Sequence, residues 1–435
     1  MEIEVVGGGL AGAEAAYQIA LRGINVRLHE MRPISFTPAH KTPHLAELVC
    51  SNSMKSKDLT NAHGLLKEEM TILNSLVVHV ARETAIPGGK ALVVDRERFA
   101  ERITGEIEGN TRIRVVREEI EEIPSGTVII ATGPLTSKKL TEKIKSLTGE
   151  QHFSFFDAIS PVVDAESIDM KKAFYASRYM KEKNDDYLNC PLTEEEYTLF
   201  HNELVRAKRV DFKEFEKTSY FEGCLPVEIM AERGKQTLLY GPMKPVGLID
   251  DHTGKRPFAV IQLRKENAEG TMFNLVGFQT KLTYREQERI LRLVPALKNA
   301  IFLRYGSVHR NTYIHSPAVL NTSLQFKNNA DIFFAGQITG VEGYMESTSM
   351  GLLAGISACL HVREIPFIPP PHDTCVGGLL RYITTETDNF QPMNVNFGLL
   401  KDYQKRKKDL AVNGALHAIA SWKKKIEENI PITPA

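Results

Sequence analysis

Hydrophobic and polar positions change their period within the first thirty residues of the chain. Residues 2–6 and 25–30 are short runs rich in Val, Ile and Leu, a pattern typical of buried strands. Between them, residues 13–21 are strong helix formers, and Gly23 follows as a stop signal. Strand, helix and strand in this order predict a βαβ unit with two parallel strands at the start of the chain.

The rest of the chain has two kinds of sequence pattern. Buried strands and helical patterns alternate up to about residue 160 and return near 331, whereas residues 161–319 mix short strand-like runs, Gly-Pro turns and helices. We therefore predict an α/β Rossmann-type domain formed by residues 1–160 and 320–435, interrupted by an inserted α/β substrate domain, residues 161–319. Outside the insert, the pattern predicts helices over 61–80 and 95–108, strands over 112–116, 127–131 and 331–335, and a helix-like run ending at 360.

Composition and charge narrow the class of protein. Of the 435 residues, 42% are hydrophobic and 25% are charged, the profile of a globular protein. Lys plus Arg and Asp plus Glu both number 54, so a nucleic-acid site must be a local basic patch. Glu2, Glu4 and Glu14 interrupt the first apolar run, and no apolar stretch reaches the length of a membrane span. We therefore expect no signal peptide and no membrane partner.

The five cysteines are widely spaced in the sequence. No CxxC pair occurs and the number is odd, which argues against a disulfide framework or a zinc cluster. The 13 His residues show no metal-binding spacing either. We therefore predict free thiols, no bound metal and a cytoplasmic protein.

The loop after the first predicted strand reads Gly7-Gly8-Gly9-Leu10-Ala11-Gly12, the G-x-G-x-x-G spacing of dinucleotide-binding folds. In such a loop Gly7 permits the tight turn, Gly9 lets the backbone approach a pyrophosphate at the helix N-terminus, and Gly12 allows close packing of helix and strand. Glu30 ends the second strand, where a carboxylate accepts hydrogen bonds from an adenosine ribose. Because all four parts occur in order, we predict a bound dinucleotide.

Two later loops favour FAD over NAD as that dinucleotide. A buried strand ends in Ala131-Thr132-Gly133, whose small residues let the backbone pass close to a dinucleotide. A late buried strand runs into Ala335-Gly336-Gln337, then Gly340 and Gly343-Tyr344, a loop placed to close over a flavin. Flavoproteins use these pieces in this order, and the chain has no second G-x-G-x-x-G for a separate nicotinamide domain.

Cys50 and Cys224 stand out among the cysteines by their neighbours. Each is flanked by polar or turn-forming residues, unlike Cys359, which lies in an apolar run. On local sequence alone, each is either a reactive thiol or a buried, inert one. Residues 304–313 mix cations with aromatics, which suits phosphate and base binding, although a solvated loop is the commoner explanation for such a stretch.

Together these motifs resemble those of the folate- and FAD-dependent tRNA uracil-5-methyltransferases, the TrmFO proteins, which are relatives of the larger GidA-type tRNA-modifying flavoproteins. The resemblance covers nearly the whole chain. It departs from the family pattern at Met54 and around 177–199, and the extended C-terminal region of the larger relatives is absent. The segments that carry it are 7–12, Glu30-Met31-Arg32-Pro33, 47–53, 221–226, 307–313 and 335–351, of which 48–53 and 340–347 are the most specific.

This resemblance implies a glutathione-reductase-like FAD-binding fold and a defined reaction. A one-carbon unit from 5,10-methylenetetrahydrofolate passes by way of reduced FAD to C5 of the T-loop uridine U54 of tRNA, and NAD(P)H supplies the electrons. The product is 5-methyluridine, and the T-arm of tRNA is the partner. The resemblance further implies that Cys50 and Cys224 are the functional pair.

Elementary chemistry suggests a role for each thiol. C5 of uracil is a poor nucleophile, but addition of a thiolate at C6 creates an enolate with carbanion character at C5. We predict that Cys224 makes this addition, because Gly223 and Pro226 frame it in a turn. Cys50 is expected closer to the flavin, where it assists the flavin chemistry or the proton transfer at C5.

The complete predicted site has three parts. The catalytic residues are Cys50 and Cys224. Tyr344 is expected beside the flavin, where it helps to hold folate or the target base. The residues predicted to bind FAD are Gly7, Gly8, Gly9, Leu10, Ala11, Gly12, Glu30, Arg32, Ala131, Thr132, Gly133, Gly336, Gln337, Gly340, Gly343 and Tyr344, and those predicted to bind RNA or folate are Arg304, His309, Arg310 and Tyr344.

Two other functions share the FAD fingerprint. An FAD-dependent oxidoreductase of a small metabolite needs neither two reactive thiols nor tRNA. A non-catalytic, FAD-containing partner of another modification enzyme binds tRNA but shows no turnover with folate.

Overall fold

The computed structural model describes residues 2–149, 152–178, 185–210, 225–387, 390–401, 403–404 and 407–433, without the side chains of 152–158 and 308–310. In chain order its strands are β1 (Glu2–Val6), β2 (Asn25–Glu30), β3 (Ser53–Ser56), β4 (Ala85–Ile86), β5 (Ala91–Val94), β6 (Ile113–Arg117), β7 (Val128–Ile130), β8 (His152–Ala158), β9 (Val162–Asp164), β10 (Phe174–Tyr175), β11 (Tyr187–Leu192), β12 (Ala259–Lys265), β13 (Met272–Leu275), β14 (Phe302–Arg304), β15 (Val308–Ile314), β16 (Gln325–Phe326) and β17 (Asn329–Phe334). Its α-helices are α1 (Leu10–Leu21), α2 (Ala62–Ile72), α3 (Leu76–Glu83), α4 (Arg96–Glu108), α5 (Lys138–Thr148), α6 (Glu194–Arg206), α7 (Val227–Glu232), α8 (Thr237–Tyr240), α9 (Tyr284–Leu291), α10 (Ser316–Val319), α11 (Tyr344–His361), α12 (Cys375–Thr384) and α13 (Lys408–Asn429).

A six-stranded sheet in the order β16-β17-β7-β1-β2-β6 forms the centre of the first unit. Its inner strands are parallel, with Val5 opposite both Leu28 of β2 and Ile129 of β7, while β16 pairs antiparallel at one edge. Ile3, Val5 and Ile129 are fully buried, as expected for strands of a parallel sheet covered on both faces. This sheet confirms the predicted α/β fold class.

The strands of the predicted βαβ unit are confirmed, but its helix begins earlier than the pattern indicates. Strands β1 and β2 span the predicted residues, whereas α1 starts at Leu10 with Gly9 as its N-cap. The second half of the glycine loop therefore forms the first helical turn. Gly12 is needed there because a Cβ at this position would lie 1.8 Å from the carbonyl oxygen of Gly7.

The helical stretch predicted over 61–80 is two helices, α2 and α3. The chain breaks between them at Asn74, whose φ of +61° is left-handed. Ser75 then caps α3 by accepting the N–H of Val78. The buried carboxylate of Glu14 in α1 accepts hydrogen bonds from Ser75 Oγ (2.8 Å) and Val77 N (3.0 Å), which fastens the start of α3 to α1.

A second unit is built on an antiparallel sheet in the order β10-β11-β12-β13-β9-β14. Its hydrophobic core draws on residues 163–300 and is separate from the core of the first unit. Tyr313, Ile314 and Val319 fall inside the predicted insert, yet they pack in the first core. The boundaries of the predicted domains remain predictions, although two distinct cores agree with a chain of two units.

The two units meet at a polar seam between the end of β12 and the loop that carries Cys50. Arg96, at the start of α4, donates to both carboxylate oxygens of Glu266, from Nε (2.8 Å) and Nη2 (3.1 Å), and also to the carbonyl oxygen of Leu48. Asn52 donates from Nδ2 to the carbonyl of Val94 (3.0 Å) in the first unit and of Lys265 (2.9 Å) in the second. Arg264 extends the seam, because its guanidinium donates to Asn52 Oδ1 (2.9 Å) and Ser51 Oγ (2.7 Å).

We predict that breaking the buried pair of this seam costs far more stability than breaking an exposed pair beside it. Arg96→Met leaves the Glu266 carboxylate, which is 4% exposed, without this cationic partner. The substitution should lower the free energy of unfolding by about 3–5 kcal/mol. In the control, Arg98→Met removes the exposed pair with Glu269 and a 3.7 Å contact with Asp95, which keeps its bonds to the backbone N–H groups of Arg98 and Ala268, and should cost less than about 1 kcal/mol. Urea unfolding measures both values.

The double variant Arg96→Met/Glu266→Leu provides a further check. Since it removes both charges, it should regain most of the stability that Arg96→Met loses. Equal losses for Arg96→Met and Arg98→Met would contradict the importance of the seam.

Candidate active site

A cleft opens at the carboxyl ends of β1, β2 and β7. In open parallel sheets this edge is where ligands bind. Twelve of the predicted FAD-binding residues line it: Gly7, Gly8, Gly9, Leu10, Ala11, Glu30, Arg32, Ala131, Thr132, Gly133, Gln337 and Tyr344.

The glycine loop forms one wall of this cleft and leaves space for an anion. Gly7 has a φ of +103°, and a Cβ there would lie 2.7 Å from the carbonyl oxygen of Ala131. A Cβ on Gly9, by contrast, would meet nothing within 4 Å, because this position faces open space. Helix α1 begins at the next residue, and its first turn has neither a side-chain cap nor an acidic residue. The free N–H groups of that turn therefore suit a pyrophosphate.

Glu30 lies at the centre of a buried network at the ribose end of the predicted site. Its Oε2 accepts the N–H of Gly8 (2.9 Å), and its Oε1 accepts from the backbone N (3.0 Å) and Nε (2.8 Å) of Arg32. Arg32 also donates from Nη1 to Glu47 Oε2 (3.0 Å). Burial alone would raise the pKa of Glu30, but the bonds from Arg32 and Gly8 bring it below its usual value. The carboxylate is thus ionised and retains lone pairs for a ribose hydroxyl.

Tyr344 links the cleft to the Cys50 loop. Its ring lines the cleft at the start of α11, and its hydroxyl oxygen accepts the N–H of Cys50 (2.9 Å) and of Ser51 (3.0 Å). Burial raises the pKa of this hydroxyl, so that it remains protonated at neutral pH. Two consecutive N–H groups bound to one oxygen fix the direction in which the Cys50 backbone enters the site.

The half-buried thiol of Cys50 lies near two cations and a tyrosine hydroxyl. Arg96, Arg304 and Tyr344 are all close enough to interact with it electrostatically. In the described part of the chain, Nε and Nη2 of Arg304 are buried and have no hydrogen-bond partner. Burial and the neighbouring Arg96 lower the pKa of Arg304 to about 10, so the guanidinium stays charged at neutral pH.

Some of the predicted site residues do not line the cleft, and others lie outside the residues that the structure describes. Four predicted glycines do not line the cleft. Gly12 lies in the first turn of α1. The other three lie in loops with positive φ values, +81° at Gly336, +83° at Gly340 and +116° at Gly343. Cys224 lies outside the described residues, and so do the side chains of His309 and Arg310, whose backbone belongs to β15. Their roles remain predictions.

Sequence reasoning missed much of the adenosine end of the cleft. His29 lies there between Glu4 and Glu118, with 2.6 Å from Nε2 to Glu4 Oε2 and 2.9 Å from Nδ1 to Glu118 Oε1. The one signal for His29 is its place beside Glu30 on β2. Other unpredicted lining residues come from segments distant in the sequence: Thr37, His40, Glu47, Val49, Glu119, Ile120, Thr136, Ser137, Leu140 and Ser347.

The described residues lack two other features. They contain no group of three or more His, Cys, Asp or Glu side chains arranged to hold a metal ion. Their helices include none that is both long and apolar enough to cross a membrane.

Comparison with known proteins places these features in a family. The family described as Glucose inhibited division protein A matches residues 2–366. The chain is 56% identical over 410 residues to the protein named methylenetetrahydrofolate--tRNA-(uracil-5-)-methyltransferase TrmFO of Persephonella marina, with 94% of each chain covered. It is 54% identical over 435 residues to the protein of the same name from Aquifex aeolicus, covering 98% of this chain and 97% of the relative.

A solved structure agrees with the fold. The crystal structure of Aquifex aeolicus GidA superposes with a TM-score of 0.73 and 17% sequence identity, covering 98% of this chain and 73% of that one. At this identity the likeness concerns the fold alone.

The glycine loop yields a prediction that separates cofactor binding from folding. Gly9→Val puts a side chain into the open space of the cleft, so the purified variant should contain no FAD. Its apoprotein should unfold at the same temperature as wild-type apoprotein. Gly12→Ala instead forces a methyl group against Gly7 and should lower both stability and flavin content. Flavin released on heating, identified by chromatography as FAD or FMN, and thermal unfolding give the two readouts.

Gly105→Ala is the matched control for the glycine variants. A Cβ at this exposed position in α4 meets nothing within 4 Å, so both flavin content and stability should be retained or slightly improved. Full flavin retention by Gly9→Val would show that the loop does not contact the cofactor.

A second prediction concerns the Tyr344 hydroxyl. Tyr344→Phe keeps the ring but leaves the N–H groups of Cys50 and Ser51 without their acceptor, at a cost of about 1–3 kcal/mol each if no water replaces it. FAD content and the KM values should stay near wild type while kcat falls at least tenfold. Tyr344→Ala should additionally raise the KM for folate or tRNA.

Tyr382→Phe serves as the control for that kinetic effect. Its hydroxyl is likewise bonded to the backbone, although as a donor to the carbonyl oxygen of Gln391 (2.6 Å) and away from the cleft, so kcat should not change. An unchanged kcat for Tyr344→Phe would mean that the hydroxyl has only a structural role.

Proposed function

The chain belongs to the family of folate-dependent tRNA (uracil-5-)-methyltransferases of the TrmFO type, and from this membership we propose that it methylates C5 of the T-loop uridine U54 in the T-arm of tRNA. The carbon comes from 5,10-methylenetetrahydrofolate, the electrons come from NAD(P)H, and FAD is the bound cofactor. The same proposal places the protein in the cytoplasm, where its tRNA substrate is found.

One contact supports the assignment of this chemistry to the cleft. Tyr344 lines the cleft with its ring and binds the backbone of Cys50 and Ser51 with its hydroxyl. A thiol is thereby held next to the cleft, with Arg96 and Arg304 close to it. A methyl transfer through a flavin to a nucleobase needs this combination of thiol, fixed cations and enclosed cofactor.

The residues of the cleft suit the pyrophosphate and the adenosine ribose of FAD. The glycine loop offers free N–H groups to a pyrophosphate, and Glu30 offers an ionised carboxylate to the adenosine ribose. When bound, FAD supplies the carbon-transfer and hydride chemistry that side chains lack. The protein contributes binding, orientation and the exclusion of water.

We assign Arg304 to the substrate side of the site. Buried donors without a partner are costly, and Nε and Nη2 of Arg304 are two such donors. A carbonyl oxygen of the uracil or of the pterin ring would satisfy them. On uracil, the same contact would stabilise the negative charge that develops on the ring oxygen when a thiolate adds at C6.

Cys224 is the thiol that we propose for this addition. Its sulfur forms a bond to C6 of the uracil, and the electron pair of the C5–C6 double bond moves to C5 and the neighbouring carbonyl. C5 can then form its bond to the incoming carbon, which leaves its carrier and is reduced to a methyl group by the hydride equivalent that FAD, when bound, would supply from NAD(P)H. Loss of the C5 proton to a base and departure of the thiolate restore the double bond, and Cys50 is our candidate for handling that proton.

The deciding experiment measures transfer of labelled carbon from methylenetetrahydrofolate to unmodified tRNA in the presence of NADPH. Wild type should form 5-methyluridine, and a transcript with cytidine at position 54 should not react. Cys50→Ala and Cys224→Ala should each retain FAD and lose methylation. Cys359→Ala is the control, since that thiol is buried in α11 with its pKa raised to about 12 by burial.

RNA carrying 5-fluorouracil at the target distinguishes the two thiols. Cys224→Ala should fail to form the covalent adduct that Cys50→Ala still forms. The opposite pattern would exchange the two roles. Methylation by both variants would exclude the thiol mechanism, and wild-type protein that binds FAD and tRNA without turnover would favour the non-catalytic alternative.

A further inference from the structure

Three aromatic rings stack in a row on the surface of the second unit. The ring centroids of Tyr284 and Tyr305 are 4.6 Å apart with 18° between the ring planes, and those of Tyr305 and Phe302 are 5.5 Å apart with 9° between the planes. We call this row the aromatic ladder. Near-parallel rings at these distances are an attractive arrangement, so the ladder is a defined feature of the surface.

One end of the aromatic ladder is closed and the other is open. At the closed end, the Arg292 guanidinium lies 5.9 Å from the centroid of the Phe302 ring. In the middle, the Tyr305 hydroxyl donates to Glu288, which fixes the ring. At the open end Tyr284 is 59% exposed, so a further flat ring has room to stack on it.

Two parts of the backbone place the aromatic ladder near the active site. Arg304, which interacts with the Cys50 thiol, lies next to Tyr305 in the sequence. On the other side, the stretch before Tyr284 pairs with both ends of the segment that includes Cys224. The N–H of Val210 donates to Lys281 (2.8 Å), and the N–H of Val227 donates to Gln279 (2.7 Å). The ladder thus lies in the second unit, next to Arg304 and to the stretch that hydrogen-bonds to Val210 and Val227.

The charges around the open end favour a polyanion with flat rings. Arg285 follows Tyr284 directly, and the carbonyl oxygen of Lys208 accepts the N–H of Thr283 (3.1 Å). Both cationic side chains are exposed, and neither has an acidic partner among the residues that the structure describes. Arg289, one turn further along α9, is in contrast paired with Glu203 and Glu286. Exposed cations that have no acidic partner among the described residues therefore flank Tyr284, where phosphates beside a stacked base would lie.

We propose that the Tyr284 end of the aromatic ladder stacks an unpaired nucleobase of the tRNA, while Arg285 and Lys208 contact the flanking phosphates. This inference rests on the proposed function, which supplies a tRNA whose loop must open to present its target base. Every base has a π-face, so an aromatic platform binds an unpaired nucleotide with little sequence preference. Folate is not the ligand we assign here, because its pterin has to reach the cleft that Tyr344 lines.

Binding of unmodified tRNA to the FAD-loaded protein tests the platform. Tyr284→Ala should raise the Kd roughly 5- to 150-fold, the range expected for one base–aromatic stack. Tyr284→Phe preserves the platform and should stay within about twofold of wild type. Since stacking releases no counterions, Tyr284→Ala should keep the wild-type slope of log Kd against log salt, whereas Arg285→Ala should reduce that slope by roughly 0.7–0.9.

The control is Tyr240→Ala, which removes an aromatic ring that is 82% exposed and lies outside the ladder; tRNA affinity should not change. FAD content and the KM for folate should be unaffected in all of these variants. A wild-type Kd for Tyr284→Ala would overturn the proposal. So would a change in sedimentation of Tyr284→Ala with unchanged tRNA affinity, which would identify the ladder as a contact between copies of this chain.

Failure of this inference can be distinguished from failure of the proposed function. If wild type methylates tRNA with folate but Tyr284→Ala binds normally, only the stacking role is wrong. If wild type shows no folate-dependent methylation, the proposed function fails, whatever the Kd values of the ladder variants.

Discussion

The buried ion pair between Arg96 and Glu266 is the contact on which the geometry of the site depends. Arg96 belongs to the first unit and Glu266 to the second, and the same guanidinium binds the backbone at Leu48, two residues before Cys50. Burial alone would raise the pKa of Glu266, but Arg96 and its cationic neighbours hold it below its usual value. Removing one partner of such a pair destabilises the fold strongly, because the other charge then stays buried without compensation. The position of the Cys50 loop is therefore tied to the relative position of both units.

The parts of the site that the sequence predicts well are those in which local geometry dictates residue type. The glycine loop is one such part: the Cβ distances at Gly7 and Gly12 leave no room for a side chain. The first two strands are another, because short apolar runs mark both β1 and β2. The start of α1 was predicted three residues late, since a glycine-rich first turn lacks the side chains that ordinarily mark a helix. Propensity alone gives little information at such a turn.

The contacts that complete the site join residues far apart in the chain, and local patterns carry no information about them. Tyr344 and Cys50 are separated by 294 positions, yet one hydrogen bond joins them. Arg304 lies in a stretch whose composition is that of a solvated loop, yet it is buried beside Arg96 and Glu266. The family resemblance marks 48–53 and 340–347 as specific but does not reveal why. Tertiary structure supplies the reason: Tyr344 positions the backbone of the Cys50 loop.

Net charge is a poor guide to RNA binding in this chain because some of its cations are already engaged in ion pairs. Arg32 and Arg96 are buried in carboxylate pairs, and Arg289 is shared between two glutamates. Such cations stabilise the fold and contribute little field outside it. What a phosphate encounters includes the exposed cations, and in the described part of the chain Arg285 and Lys208 have no acidic partner. A chain with equal numbers of acids and bases can therefore present a positive surface wherever its folding leaves cations unpaired, and the aromatic ladder is where we propose that this neutral protein contacts a polyanion.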